Sequence, residues 1–413
     1  MRGLLATGDP LFGDGVHWAE LAVVAIKVLV AFAVLMVAVM LMIWFERKAI
    51  SDMQSRIGPQ RWGPFGILQT LADGIKLFFK EDLVPQDANR FVFKLAPYLV
   101  LIPALLTFCI VPVGGEVTVA GHSFYLQVAD PPIGILLLLA MSGISVYGVI
   151  LAGWGSGSKY PLMSSVRASA QMISYEAALG LSTATVVLAA GTLSTQGIVS
   201  AQGHGFWHWN VIHLGLVPFV VFLIAITAEV NRPPFDTVEA ESELVGGYHT
   251  EYSSIRFALF FLAEFMATIT MSAIMVTLFF GGPQGWHPDV PALNWLFPIL
   301  WFVVKTSIFC FCYVWFRGAL PRFRYDQLMS LGWKQLIPIS FAWLLLVAGI
   351  ETGDWRWGLG LALAVLACVP LLGRAFNLGD ERERGADAIL DPAAERPVPP
   401  WLLRDQTDEG VGT

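Results

Sequence analysis

Long apolar runs alternate with short polar stretches along most of this 413-residue chain. Nine runs approach the ~20 residues that a helix needs to cross a bilayer. They lie at 20–45, 91–113, 131–153, 168–190, 212–230, 254–280, 295–317, 335–351 and 356–375. In hydrocarbon every backbone N–H and C=O must find its partner within the segment, so such runs predict helices. Pro103 and Pro131 in the second and third runs are tolerable inside a helix bundle. Residues 64–80 follow another pattern. Ile67, Leu68, Leu71, Ile75, Phe78 and Phe79 share one helical face, and Gln69, Asp73, Lys76 and Lys80 share the other. Pro64 suits the first turn. The segment is too short and too polar to span, which predicts a helix lying in the membrane interface. The expected fold is an all-α polytopic membrane protein. It has about nine transmembrane helices, one interfacial amphipathic helix and long loops on one side.

Lysine and arginine set the expected orientation. The loops 114–130, 191–211 and 281–294 contain neither residue. The alternate segments 46–94, 154–167, 231–256 and 317–334, with the tail after 373, hold 21 of the 25. Basic residues stay on the cytoplasmic side, so the N-terminus is expected outside and the long loops and tail inside. Acids precede the first apolar run, which begins about twenty residues in, unlike a cleaved signal peptide. Beside this asymmetry the net charge of −7 matters little. With 56% hydrophobic residues and a mean hydropathy of +0.64, the chain is not a soluble domain. Residues 1–376 are expected to form one membrane domain. Residues 377–413, rich in Asp, Glu, Arg, Pro and Gly, are expected to form a largely disordered cytoplasmic tail. No internal repeat is visible, which weighs against an inverted-repeat transporter.

Redox and nucleotide chemistry find no support. Cys109, Cys310, Cys312 and Cys368 all fall in apolar runs, without a CxxC pair or a Cys/His cluster. There is no GxGxxG and no phosphate loop. Neither a flavin nor an iron–sulfur cluster is expected in this chain, and no metal and no nucleic acid.

Charge gathers in one place. From Glu229 to Glu251 there are six acids, Glu229, Asp236, Glu239, Glu241, Glu243 and Glu251, against one base, Arg232. Only 14% of the chain is charged, so this density stands out. Carboxylates crowded beside hydrocarbon lose hydration and repel, and both effects favour proton uptake near neutral pH. Glu46, Glu176, Glu264 and Lys305 add ionisable groups within or at the end of apolar runs, where such groups are functional candidates. Pro233-Pro234 stiffens the acidic segment.

These segments resemble the quinone-site membrane subunits, or H subunits, of the respiratory NADH:quinone oxidoreductases, the complex I enzymes. Glu46-Arg47-Lys48, Gln54-Ser55-Arg56-Ile57-Gly58-Pro59, Gly63-Pro64-Phe65-Gly66 and Ala72-Asp73-Gly74-Ile75-Lys76 match the family's first cytoplasmic loop. Glu229-Val230-Asn231-Arg232-Pro233-Pro234-Phe235-Asp236, with Glu239, Glu241, Glu243 and Glu251-Tyr252, is similar to its third. Ser174-Tyr175-Glu176 and Pro321 to Leu328 match two further signatures. The resemblance covers about 20–350. It implies a component of a proton-translocating enzyme of the bacterial cell (inner) membrane. Such a component forms the membrane side of a quinone chamber and passes protonation changes into the membrane arm. Quinone is then the substrate, with ubiquinone and menaquinone both open. Electrons arrive from a soluble arm that carries the flavin and iron–sulfur clusters. The implied partners are the quinone-site and iron–sulfur subunits of that arm, small membrane subunits and antiporter-like subunits, all within membrane lipid.

On this resemblance Arg47, Arg56, Phe65, Asp73, Arg232, Phe235 and Asp236 are candidate quinone-binding residues. Glu46, Glu176, Glu229, Glu239, Glu241, Glu243, Glu251 and Glu264 are candidates for a proton relay. Blander roles stand beside these. Arg47 and Arg56 suit anchoring at the cytoplasmic surface, and Asp73 suits an ion pair with Lys76 one turn on. Residues 321–328 read chiefly as a docking surface for the soluble arm. A stand-alone proton or cation transporter and a scaffold component of a membrane hydrogenase are the competing classes.

Overall fold

The computed structural model describes residues 18–119, 122–203, 205–236, 245–286, 295–352 and 360. Helix α1 (Trp18–Met53) has 36 residues and is about 54 Å long. That exceeds a hydrocarbon core of about 30 Å, so its last turns carry Glu46, Arg47 and Lys48 beyond or to the edge of the apolar layer. Leu35, Val39, Met42, Ile43 and Glu46 are buried at helical spacing, whereas most of its other large apolar side chains face outwards.

A short 3₁₀ turn (Pro64–Gly66) precedes the interfacial helix α2 (Gln69–Phe79). The expected continuous helix over 64–80 is thus broken near its start. Gly66 has φ +79, and a Cβ there would lie 2.4 Å from the Pro59 carbonyl oxygen. Only glycine meets both demands. No residue of α2 is buried, and Phe78 and Phe79 are exposed.

Helices α3 (Arg90–Phe108), α4 (Gly134–Gly155) and α5 (Lys159–Ala190) pack in sequence. The α3–α4 approach is close because Gly148 lacks a side chain. A Cβ there would lie 2.5 Å from Val100 Cγ2 and 3.0 Å from the Val100 nitrogen. Between α3 and α4 two short antiparallel strands, β1 (Glu116–Val119) and β2 (His122–Tyr125), pair with Glu116 opposite Tyr125. The apolar pattern predicts only a loop there. After α5 come two short helices, α6 (Thr195–Ala201) and α7 (Asn210–His213), then α8 (Leu216–Glu229). The run at 212–230 is therefore split at Gly215, whose φ is +83. Its main helix has 14 residues, about 21 Å, which is short for a span.

Helix α9 (Ser254–Phe279) is the most enclosed, with every residue from Thr268 to Phe279 buried. It packs on α3, α2 and α1, and on α10 (Leu296–Ala319). Helix α11 (Tyr325–Leu331), a single π turn (Gly332–Leu336) and α12 (Ile337–Glu351) close the bundle against α5. Among the described residues seven helices are long and apolar enough to cross a membrane, with Leu216–Glu229 as a shorter apolar helix. The protein is an all-α polytopic membrane protein with a minor hairpin. The run at 356–375, apart from Gly360, and the tail 377–413 lie outside the described residues.

Candidate functional site

The site begins at the turn that ends α8, where the Pro233–Pro234 bond is cis. Arg232 N–H donates to the Thr227 carbonyl (3.1 Å), and Phe235 N–H donates to the Arg232 carbonyl (2.9 Å). Gln171 of α5 reaches across to this turn. Its Nε2 lies 3.0 Å from the Ala228 carbonyl oxygen, 2.9 Å from that of Phe235 and 3.2 Å from Asn231 Oδ1. Held by these hydrogen bonds, Arg232 points into the bundle and is only 3% exposed.

Its guanidinium bridges two helices. Nη1 lies 3.1 Å from Glu46 Oε2 on α1, and Nε lies 3.1 Å from Glu264 Oε1 on α9. The Phe265 ring lies below it, 4.4 Å from the guanidinium carbon. Glu46 also pairs through Oε1 with Arg317 of α10. Asp236 pairs with Arg322 at 3.0 Å. Three carboxylates thus meet three guanidiniums, as burial of charge requires.

Glu229 and Glu176 have no such compensation. Glu229 is buried, and its Oε2 has no hydrogen-bond partner among the described residues. Glu176 accepts from Ser142 Oγ at 3.4 Å. The two acids repel each other. Glu229 and Glu264 both line a cavity of about 70 Å³, together with Ser142, Ser145, Thr107 and Thr270. That volume and polar lining suit a few water molecules. At Gly143 a Cβ would stand 3.2 Å from Glu176 Oε1, so glycine leaves that carboxylate room.

A third group sits at the end of α1. Arg47 Nη1 pairs with Asp73 Oδ2, and Gln69 Nε2 lies 3.2 Å from Asp73 Oδ1. Asp73 therefore pairs with Arg47 rather than with Lys76 one turn on. Trp44 Nε1 donates to the Phe65 carbonyl at 2.9 Å, so two contacts fix the start of α2 against α1. The other end of α2 is tied to α9. Ser254 Oγ lies 2.9 Å from the Leu77 carbonyl oxygen and 2.7 Å from that of Lys80, and Arg256 pairs with Asp82 at 2.9 Å. Tyr252 stacks on Phe93 with centroids 4.0 Å apart, and its hydroxyl donates to the Phe93 carbonyl. Burial raises the Tyr252 phenol, so it stays a neutral donor. Burial lowers nearby His249 to about 4, so that imidazole is uncharged at neutral pH.

The fold thus gathers Glu46, Arg232, Asp236 and Glu264 in one cluster, Glu176 and Glu229 beside the cavity, and Arg47, Asp73 and Phe65 at the interfacial helix. Arg56 stands apart, exposed, with its Nε on Gln54 Oε1 at 2.7 Å. Phe235 is buried between Tyr175 and Phe323, with centroids 5.4 and 5.6 Å away. Glu251 is half-buried at the end of the loop. Glu239, Glu241 and Glu243 lie outside the described residues. Sequence reasoning missed Arg317, Arg322, Gln171 and Ser142. The two arginines fall in a Lys/Arg-rich stretch, where bases at a helix end carry no distinctive signal. A Gln within an apolar run was the one available signal for Gln171.

Residues 26–348 match the family model described as NADH dehydrogenase. A protein of Frankia alni, named as the H subunit of NADH-quinone oxidoreductase, is 47% identical over 374 residues, 87% of this chain and 81% of that protein. A protein of the same name from Frankia casuarinae is 47% identical over 383 residues, 89% of this chain and 83% of its own length. The chain belongs to the NADH dehydrogenase family of membrane subunits, and it is similar to these H subunits along most of their length.

Proposed function

We propose that this chain is the membrane-embedded H subunit of a proton-translocating NADH:quinone oxidoreductase, forming the membrane side of the quinone chamber and relaying protonation changes into the membrane arm. The observation that carries this is the continuity of ionisable groups. Arg47 and Asp73 stand half-exposed where α2 meets α1. Glu46 is the next residue along the chain from Arg47 and opens the buried cluster with Arg232 and Glu264. Glu264 also lines the cavity that reaches Glu229 and the Ser142 partner of Glu176.

Quinone reduction takes up two electrons and two protons. The electrons come from the flavin and iron–sulfur clusters of the soluble arm. A long isoprenoid tail prefers hydrocarbon while the head needs polar partners. The junction of α1 and α2, with Phe65, Phe78 and Phe79 exposed outside and Arg47 and Asp73 beside them, offers both. Arg47 and Arg56 steer the head group, with Arg232, Phe235 and Asp236 lining the deeper chamber. Until protons reach it, the negative charge on the reduced head competes with Asp73 and Glu46 for their arginine partners. The ion pairs of Arg232 pass that shift in pairing to Glu264, and the waters of the cavity pass it to Glu229 and Glu176. Glu229 is suited to gain and lose a proton, because no described cation pairs with it. Glu239, Glu241, Glu243 and Glu251 supply protons from the cytoplasmic loop. Partners are the arm's quinone-site and iron–sulfur subunits on that loop face, and small and antiporter-like membrane subunits alongside.

Deleting the chain's gene and restoring it with wild type or with a double Glu176→Gln, Glu229→Gln variant tests this. The deletion should abolish NADH-driven quinone reduction while NADH oxidation by an artificial acceptor of the soluble arm persists. The double variant should assemble yet pump few protons per quinone reduced. Wild-type pumping in the double variant would sink the relay.

A further inference from the structure

Among the described residues Lys305 is the one cation buried deep in α10, about 14 Å from the first residue of that helix. It lies toward the end of the bundle whose loops lack Lys and Arg. Its hydrogen-bond partners among the described residues are all backbone carbonyls. Nζ lies 2.7 Å from the Phe280 oxygen, 3.1 Å from that of Gly282 and 2.6 Å from that of Gln284, which form the turn ending α9. The Trp209 ring covers it, 4.3 Å from centroid to Nζ. Trp209 is itself wedged between Phe206 and Phe280. No described carboxylate neutralises the charge, so its field persists.

A polar column leads from the acid cluster to this cation. On α9 Glu264, Thr268 and Ser272 are four residues apart and share one face, both hydroxyls fully enclosed. On α10 Thr306, Cys310, Tyr313 and Arg317 follow at spacings of four, three and four. Cys310 Sγ lies 3.7 Å from Ser272 Oγ and joins the two rows. The Thr306 hydroxyl, one residue from Lys305, has no hydrogen-bond partner in this column. From Glu264 to the 280–284 turn the column is about 24 Å long. An unsatisfied hydroxyl in such a row attracts water. A machine that stores a proton gradient must not let that row run open to the far side.

We propose that Lys305, clamped on the 280–284 turn beneath Trp209, seals the far end of the α9–α10 polar column against protons. A fixed ammonium repels hydronium, as cationic constrictions do in water-selective pores. The aromatic ring keeps bulk water from screening it. A plain structural reading, in which the ammonium only caps the carbonyl end of α9, predicts that charge is dispensable once the clasp is kept.

The assembled complex in liposomes, without NADH, decides between them. Decay of an imposed pH gradient is followed with a pH-sensitive dye. Lys305→Gln keeps hydrogen-bond donors for the carbonyls and removes the charge. It should raise the passive proton leak about fivefold or more, while Lys305→Arg leaks as wild type does. NADH:quinone turnover with a protonophore present should be unchanged in both. A wild-type leak in assembled Lys305→Gln overturns the seal. If Lys305→Gln fails to assemble, Trp209→Leu decides, because it strips the ring from the ammonium. A raised leak there supports the seal and a wild-type leak overturns it. The purpose of the seal rests on the proton-relay reading, but the leak is read without turnover, so each can fail alone.

Discussion

Arg232 and Glu46 lie 186 residues apart in sequence and 3.1 Å apart in space, joining the turn after α8 to the end of α1. The same guanidinium holds Glu264, so one side chain fastens three helices. Arg232→Met should leave Glu264 buried without a cation, and breaking such a pair costs about 3–5 kcal/mol. The assembled complex in membranes should fall severely. Arg232→Lys should recover only part of it, since an ammonium lacks the fork that reaches two carboxylates. Quantitative blotting of the membrane protein checks both variants.

Glu229→Gln should separate stability from function. The carboxylate is buried without a hydrogen-bond partner for Oε2, so a neutral isostere removes a desolvation cost. Thermal stability of the purified complex should hold or rise, while quinone reductase activity and pumping fall. A drop in melting temperature with normal turnover would contradict the relay role.

Arg47→Met should raise the apparent KM for quinone with little loss of assembled enzyme. The pair with Asp73 is substantially exposed, and pairs of that kind contribute about 1 kcal/mol or less to stability. Kinetics are measured per mole of assembled complex. An unchanged KM with reduced assembly would mean that Arg47 is an anchor only.

Gly148→Val should block close packing of α3 and α4, since even a Cβ meets the Val100 side chain and backbone. Overpacking costs about 1–3 kcal/mol, and backbone contact puts this site at the upper end. Gly180→Ala, with nothing within 4 Å of the added carbon, should be neutral. Protein abundance in membranes compares the two.

Orientation is tested by single cysteines. Trp207→Cys, on an exposed loop of the Lys/Arg-free end, should react with an impermeant reagent only from outside the cell. Arg56→Cys should react only from the cytoplasmic side. The opposite pattern would invert the proposed topology.

Spans were legible because hydrocarbon imposes one rule over twenty residues at a time. Breaks were less so. Gly215, Gly66 and the π turn at Gly332–Leu336 change direction within a few residues, below the resolution of an apolar run. Of the cluster's acids, Glu264 stood out as a lone charge within an apolar run, Glu46 by ending the first run, and Asp236 by the density of acids around it. Their partners did not. Arg317 and Arg322 look like ordinary bases at the end of an apolar helix, and only tertiary packing places them on Glu46 and Asp236. Likewise Asp73 has a plausible partner one turn away in Lys76, and the fold chooses Arg47 from 26 residues earlier instead.

Ser254 gives the interfacial helix a mechanical consequence. Its hydroxyl grips two carbonyls at the end of α2, and ten residues further along the same helix stands Glu264. Ten residues of unbroken α-helix make a stiff rod of about 15 Å. At its opposite end α2 is tethered to α1 through Asp73 and Arg47. Helix α2 is therefore a crossbar pinned at both ends. It cannot tilt to admit a bulky guest without either snapping these hydrogen bonds or swinging the rod, and with the rod the carboxylate that Arg232 holds.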